Sequence, residues 1–415
     1  MAVVGGIIGG GIFRTPATVA ERLGAPKLVL LAWVSGGIVA LIGAFCWGEL
    51  GQRRPRAGGG YVYLRETFGP LPAFLYGWTL VLVIATGAIA AVAVTFADYT
   101  LALAGLPHTY SVPLAVAAIV LLSGINYVGV RPAAITQNIF TVLKLTALTL
   151  LIGAGILLTV PAASAVGPSG RPAAGLGAAL VPILFTYGGW QQTNFIAEEI
   201  VDPERNLPRA LLWGVAIVVA VYLLTNVAYL RVLGIDGLAR STAPAADTMQ
   251  ALLGPVGGKV IAAGIAISTF GFLNLVILVT PRVLQAMAAD GVFFRRFAVL
   301  HPRYQTPTAA IVALATFAVL LTLTGTFGQL VDYVTFGDWI FFGLTAAALF
   351  IYRKRDQGPT SGFRVPAYPV TVIIFVLAAA YVVFSSIVSN PRNAGVGAGL
   401  IGLGVPAFLY WRSRL

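Results

Sequence analysis

Among its 415 residues the chain has one cysteine and two histidines. The lone Cys46 sits inside an apolar stretch, so no internal disulfide can form. With only two histidines beside it, no set of metal ligands exists at workable spacing. No nucleophile–base pair is evident either, which argues against an enzyme. Charge is scarce: charged residues make up 10% of the chain, against about 25% in an ordinary soluble domain. Hydrophobic residues make up 58%, and the mean hydropathy is +0.91. A surface so poor in charge faces lipid. Acidic residues number 14 against 26 basic ones, for a formal charge of +12. Nucleic-acid binders gather such charge on one face among aromatics. Here it comes in short runs between long apolar segments, which excludes nucleic acid as a partner and fits the cytoplasmic loops of a membrane protein. No basic stretch precedes the first apolar segment, so no cleavable signal peptide is visible. That segment begins almost at Met1 with a short cytoplasmic half, consistent with a start upstream.

Long apolar runs are what the chain has in abundance. They fall at 2–23, 27–50, 71–104, 112–129, 133–160, 176–197, 208–234, 256–281, 308–325, 329–352, 368–389 and 394–411. Each is near the ~20 residues that a helix needs to cross ~30 Å of hydrocarbon. Lipid offers the backbone no partners, so such runs form helices. The expected fold is an all-α membrane protein with twelve transmembrane helices. If the N-terminus is cytoplasmic, seventeen of the Lys and Arg residues fall in inside loops and seven outside, with Arg14 and Lys144 within segments. That bias puts both termini in the cytoplasm.

Two segments carry helix breakers. The first reads Gly5-Gly6-Ile7-Ile8-Gly9-Gly10-Gly11-Ile12-Phe13, and its three consecutive glycines each cost about 1 kcal/mol relative to alanine in a helix. The sixth pairs Gly188 and Gly189 mid-segment, followed by the polar run Gln191-Gln192-Thr193-Asn194. Glycine in a membrane helix ordinarily serves close packing. Two breaks five segments apart point further, to a pair of inverted five-helix repeats, each opened by a discontinuous helix. An opened helix bares amides on one side and carbonyls on the other. Together the two can clamp a zwitterion, and an amino acid is the natural ligand. A dinucleotide fingerprint is excluded, because no strand precedes the glycines and no acid follows at the right distance.

These residues resemble a known family. Gly5 to Pro16 is similar to the first-helix signature of the amino acid–polyamine–organocation (APC) superfamily, and Pro55 to Arg65 resembles its first cytoplasmic loop. Phe185 to Trp190, continuing through Asn194-Phe195-Ile196-Ala197-Glu198-Glu199 to Pro208, resembles the sixth helix of the L-type amino acid transporter branch. The resemblance covers nearly the whole chain. It implies a leucine-transporter-type arrangement: a first repeat at 1–160, a second at 171–355, and two peripheral helices at 366–415. It also implies a substrate carboxylate on the amides of Gly9, Gly10 and Gly11, with the ammonium on the carbonyls of Ile7, Phe185, Thr186 and Gly188. Phe185 matches the family's aromatic gate, although its ordinary reading is apolar packing. Where the family often has Ser, this chain has Gly10, so a hydroxyl contact is lost.

Lys144 lies 12 residues past Pro132, about 18 Å along the fifth helix at ~1.5 Å per residue. A lysine stem does not snorkel that far, and an intramembrane charge is costly. The resemblance implies that its ammonium stands where related transporters hold sodium, bracing the fifth helix against the opened first, with Ser268 and Thr269 on the eighth helix close by. Asp338 lies nine residues past Gln329, ~14 Å into the tenth helix. It is read either as a substrate-side-chain or proton site, or as a helix–helix hydrogen bond. Glu198 and Glu199 are expected to anchor the arginine-rich first loop, and Arg22 and Lys27 to be solvated.

The eukaryotic members of the branch join an accessory glycoprotein through a cysteine between helices three and four. Here the loop Ala104 to Thr109 has none, so no disulfide-linked accessory subunit is expected. The resulting expectation is an inner-membrane, cofactor-free secondary transporter of small neutral L-amino acids, working by sodium-independent exchange or facilitated diffusion. Proton-coupled uptake of cationic amino acids or polyamines is the alternative. A non-transporting amino-acid sensor is a third reading, disfavoured by the lack of a signalling domain.

Overall fold

The computed structural model describes residues 1–158, 176–324, 327–356, 362–389 and 391–412. The expected repeat boundary between 160 and 171 lies outside these residues, as do Arg171 and Arg414 of the charge count. All regular elements among the described residues are helical. Among the described residues nine helical stretches are long and apolar enough to cross a membrane, and a tenth, shorter apolar helix joins them. Large apolar side chains such as Val120, Trp213 and Leu377 stand exposed on outer faces. In a multi-pass membrane protein these faces meet lipid.

The chain starts with α1 (Ala2–Ile7), a 3₁₀ turn (Gly11–Phe13) and α2 (Thr15–Leu23), followed by α3 (Pro26–Arg53) and the short α4 (Gly60–Phe68). Next come α5 (Pro70–Thr79), a π-helical stretch (Leu80–Ala85) and α6 (Thr86–Ala104), which run on as one span, then α7 (Ser111–Val128) and α8 (Val130–Leu157). The second part holds α9 (Leu176–Tyr187), a 3₁₀ segment (Trp190–Glu199), α10 (Pro203–Arg240), α11 (Pro244–Val279) and α12 (Pro281–Ala289). It continues through a 3₁₀ turn (Arg295–Ala298), α13 (Thr308–Thr324) and α14 (Phe327–Arg355). Last are α15 (Val370–Ser389), α16 (Pro391–Gly402) and α17 (Gly404–Arg412). Pro26, Pro70, Pro203, Pro244 and Pro281 each open a helix, where their missing N–H is no loss. The seventh and eighth apolar segments are longer than their hydropathy indicates, because α10 and α11 continue through bends at Gly234 and Gly254.

Both glycine-rich segments are interrupted. Between α1 and α2 the backbone leaves the helix at Ile8 (φ −76°, ψ 88°) and re-enters through the 3₁₀ turn. After α9 it turns at Gly189 (φ +107°, ψ −16°) into 3₁₀ turns over Trp190–Glu199, which are kinked at Ile196 (φ −110°, ψ 25°). The two interruptions touch. A Cβ on Gly6 would lie 2.9 Å from the Gly189 carbonyl oxygen, and one on Gly189 would lie 2.8 Å from the Gly6 carbonyl carbon. Only glycine at both positions lets the backbones cross this closely.

Candidate functional site

Three elements hold the open ends of the first break. From α8, Lys144 Nζ donates to the carbonyls of Gly5 (3.1 Å) and Ile8 (2.6 Å), and its side chain is fully buried. From α11, the Ser268 hydroxyl lies 3.3 Å from the Ile8 carbonyl and 3.2 Å from that of Gly9. Ser268 thus shares an acceptor with Lys144 rather than contacting it. Thr269 turns back onto its own helix, donating to the carbonyls of Ile265 and Ala266. From α10, the Tyr222 hydroxyl stands 3.1 Å from the Ile7 carbonyl and 3.3 Å from that of Thr186, so one phenol spans both breaks. Two turns further along the same face, the Tyr229 hydroxyl reaches the Ile12 carbonyl at 3.4 Å.

The break itself leaves donors free. The Gly9 N–H closes a tight turn onto the Ile7 carbonyl (2.9 Å). The N–H groups of Gly10 and Gly11 start the 3₁₀ turn and have no partner among the described residues. On the facing wall the Phe185 carbonyl accepts the Gly188 N–H at 3.0 Å, and the Gly189 N–H donates to Gln191 Oε1 at 3.0 Å. The hydroxyls of Thr15 and Thr186 lie 2.7 Å apart, joining the helix that follows the first break to the one that precedes the second.

Between these ends lies a cavity of about 450 Å³. Ile7, Gly9, Gly10, Gly11, Phe185, Thr186, Gly188 and Asp338 all line it. Lys144, Ser268 and Thr269 do not; Lys144 and Ser268 act on the carbonyls of the break from outside the cavity, and Thr269 bonds only its own helix. Ala88, Ala91 and Thr95 of α6, Phe272 of α11, and Trp339 and Phe342 of α14 complete the walls. Asp338 makes no hydrogen bond or ion pair with any described residue. The cavity extends along α2 past Thr18 to Arg22 and to the α15–α16 junction at Ser389 and Asn393. Arg22, read from the sequence as solvated, instead donates to the Ala178 carbonyl at 2.5 Å.

Polar pairs close the opposite face. Glu49, only 1% exposed, accepts from Arg53 (3.0 Å), Arg353 (2.9 Å) and the Val365 N–H (2.7 Å), tying α3 to α14 and to the segment before α15. Arg54 pairs with Glu66 and Asp356 at 2.7 and 3.1 Å. Arg65 pairs with Asp290, which also accepts from the Tyr61 hydroxyl at 2.8 Å. In this loop region the charge-assisted bonds to Glu66 and Asp356 hold the Arg54 guanidinium above its ordinary pKa despite partial burial, which alone would lower it. The expectation that Glu198 and Glu199 anchor the first loop is corrected. Glu199 pairs with Arg282 of α12 at 2.9 Å, Glu198 is exposed, and the first-loop arginines find Glu49, Glu66, Asp290 and Asp356. Glu199 lies beyond the kink at Ile196, where its carboxylate meets Arg282 of α12.

Tyr222 and Tyr229 went unnoticed in the sequence. Their signal was available: two tyrosines seven residues apart in an apolar helix share one face, and buried phenols seek acceptors. Gln191 and Arg14, both on the cavity wall, were likewise missed.

With this geometry in place, comparison with known proteins is direct. A family model describing amino acid permeases matches residues 1–409. The chain is 34% identical to the Asc-type amino acid transporter 1 of Homo sapiens over 428 residues, covering 99% of this chain and 81% of that protein. It is 33% identical to the large neutral amino acids transporter small subunit 2 of Mus musculus, covering 99% and 80%. It is 32% identical to the serine/threonine exchanger SteT of Bacillus subtilis, covering 99% and 95%.

Proposed function

The chain belongs to the amino acid permease family, whose members are multi-pass membrane transporters and not enzymes, and we propose that it carries small neutral L-amino acids across the cell's inner membrane by alternating access. The carrying observation is the cavity between the two touching breaks. It offers the unpaired amides of Gly10 and Gly11 to a carboxylate, and the carbonyls of Ile7, Phe185, Thr186 and Gly188 to an ammonium. A side-chain-independent clamp of this kind recognises the α-amino acid group itself. The small walls at Ala88 and Ala91 and the aromatic faces of Phe185, Trp339 and Phe342 favour short side chains. Phe185, at the end of the helix before the second break, serves as the gate. The names of the relatives, two neutral amino acid transporters and a serine/threonine exchanger, support this substrate class, with sodium-independent exchange or facilitated diffusion as the mode.

In this reading the two breaks belong to inverted repeats at 1–160 and 171–355, within a twelve-span topology whose termini are cytoplasmic. The ion-paired face at Glu49, Arg353 and Arg282 is then the closed cytoplasmic side, and the cavity faces outward. Lys144 fills the cluster of carbonyls and hydroxyl at the first break with a covalently tethered cation, so sodium has no place there. Cys46 is a buried free thiol, which supports operation without a disulfide-linked accessory subunit.

Counterflow tests the proposal. Proteoliposomes are loaded with one unlabelled amino acid at a time and exposed to labelled L-alanine or L-serine, with and without a sodium gradient. Loaded small neutral amino acids should drive transient accumulation equally in both conditions. Accumulation that requires sodium, or none with any loaded amino acid, overturns it.

A further inference from the structure

One charge in the cavity is used by neither break. Asp338 shares the wall with Trp339 and Phe342 and has no described partner. The elements packed around α14 offer it little. Tyr76 of α5 is the one titratable group acting on it from that side. The π-helical stretch and α6 turn Ile84 and Ala88 to the cavity, and α15 and α16 bring Ser385 and Asn393. Arg14, just before α2, is engaged with Tyr99 of α6, and Arg22 of α2 is held on the Ala178 carbonyl. The charges of α3 and α4, Glu49 and Glu66, are engaged with arginines at the closed face.

A zwitterion in the clamp brings no net charge with it. Substrate displaces the water around Asp338. Closing the loaded cavity on an ionised carboxylate therefore leaves a dehydrated charge with no described partner, a costly arrangement, whereas the empty cavity keeps its water and returns with Asp338 ionised. Two things can cancel it: a cationic side chain on the substrate, or a proton. A small neutral amino acid supplies no cation. We propose that Asp338 binds one proton from the water on the side where substrate enters and releases it to the water on the other side. Net movement of a neutral amino acid is therefore accompanied by H⁺. The step forms and breaks only the O–H bond of the carboxyl group. Intramembrane carboxylates serve proton relays in this way in pumps and transporters. The inference rests on the proposed reading of the cavity as a neutral amino acid site.

The test separates the two. Vesicles without internal amino acid, containing a pH-reporting dye, are given labelled L-alanine outside while valinomycin and equal potassium hold the potential at zero. Internal acidification is divided by the label taken up. The wild-type chain should bring in about one proton per alanine. Asp338→Asn and Asp338→Ser should bring that ratio near zero at whatever rate of uptake they keep, and Asp338→Glu should retain it. A wild-type ratio of zero overturns the inference, as do an unchanged ratio in both uncharged variants and alanine counterflow without any uptake into the empty vesicles, which marks strict exchange with no net movement. Preferred uptake of 2,3-diaminopropionate over alanine, without acidification, assigns the missing charge to the substrate and also overturns it. Failure of the clamp reading shows separately, as absence of alanine counterflow.

Discussion

Gly189 and Gly10 both belong to glycine-rich breaks, yet their replacement by alanine should have opposite consequences. At Gly189 the backbone sits at φ +107°, a conformation that costs an L-residue about 1–3 kcal/mol. The added methyl would also meet the Gly6 carbonyl carbon at 2.8 Å and the Ile7 nitrogen at 3.4 Å. These are backbone atoms with no rotamer in which to retreat, so the breaks must separate, at a further ~1–3 kcal/mol on the scale of overpacked cores. Together the terms reach about 2–6 kcal/mol, a large share of the ~5–15 kcal/mol that holds a typical protein folded. At Gly10 the backbone is near-helical (φ −89°, ψ −15°), and a methyl would meet only Thr269 and Thr95 at 3.8 Å. That contact is ordinary, and the stiffer unfolded chain offsets any small loss by about 0.4–1 kcal/mol. Thermal unfolding in detergent reads both. Gly189→Ala should lower Tm by several degrees and remove counterflow, while Gly10→Ala should leave Tm within about a degree. A Gly189→Ala variant with wild-type Tm and transport would refute the claim that the two breaks cross in backbone contact.

Three further outcomes follow from the contacts around the cavity. Lys144→Met removes the donor to the Gly5 and Ile8 carbonyls, two charge-assisted bonds of about 1.5–3 kcal/mol each, and should reduce counterflow at least tenfold; near-normal transport would show that the first break is held without it. Tyr222→Phe keeps the ring packed against Trp33 and Tyr187 at 5.7 and 5.1 Å and loses only a hydroxyl bond of about 1 kcal/mol, so KM measured by uptake should rise roughly fivefold with little change in Tm. Glu49→Gln leaves Arg53 and Arg353 without their shared carboxylate, a loss of about 3–5 kcal/mol for a buried pair. A cysteine introduced at Thr193 in a Cys46→Ser background should then become reactive to a soluble maleimide, and unchanged protection would show that this face does not close the cavity.

The parts of the site that could be read in advance are those whose chemistry stands out locally. Three glycines in a row, or a lysine in an apolar run, contradict their surroundings, and that conflict identifies them wherever the chain places them. The eight residues read as substrate-binding face the cavity; seven of them stand at the two breaks, which are local in sequence, and Asp338 of α14 stood out as a carboxylate in an apolar run. Tyr222 was not legible for the converse reason. A tyrosine in a membrane helix packs as an apolar ring, and only the fold shows that its hydroxyl meets two carbonyls, one of them 215 residues away. Ion-pair partners failed likewise: Glu199 and Arg282 are 83 residues apart, and many arginines competed for the assignment. The π-helical stretch at Leu80–Ala85 has no residue that marks it, since an extra residue in a helical turn changes the hydrogen-bond ladder and not the composition.

The two ends of the cavity are built from different materials, and the difference bears on how it can open. Toward α2 the walls are joined by hydroxyls and a carbonyl, at Thr15–Thr186 and Arg22–Ala178; toward α4 they are joined by ion pairs on Glu49, Glu66, Asp290 and Glu199. An apolar seal would lose ~25 cal/mol for each Å² wetted on opening, with nothing gained in return. Charges recover hydration when they part, so the net cost of separating an ion pair near the surface is small, about 0–1 kcal/mol for exposed pairs. Alternating access needs two states within a few kcal/mol of one another, since a wider gap leaves one of them too sparsely populated to turn over. A face closed by several modest ion pairs can hold the cavity shut and still yield. Glu49 is the exception, because its burial makes its pairs expensive to break singly. The opening motion that fits this arrangement carries Glu49 and Arg353 together and parts the more exposed pairs around them.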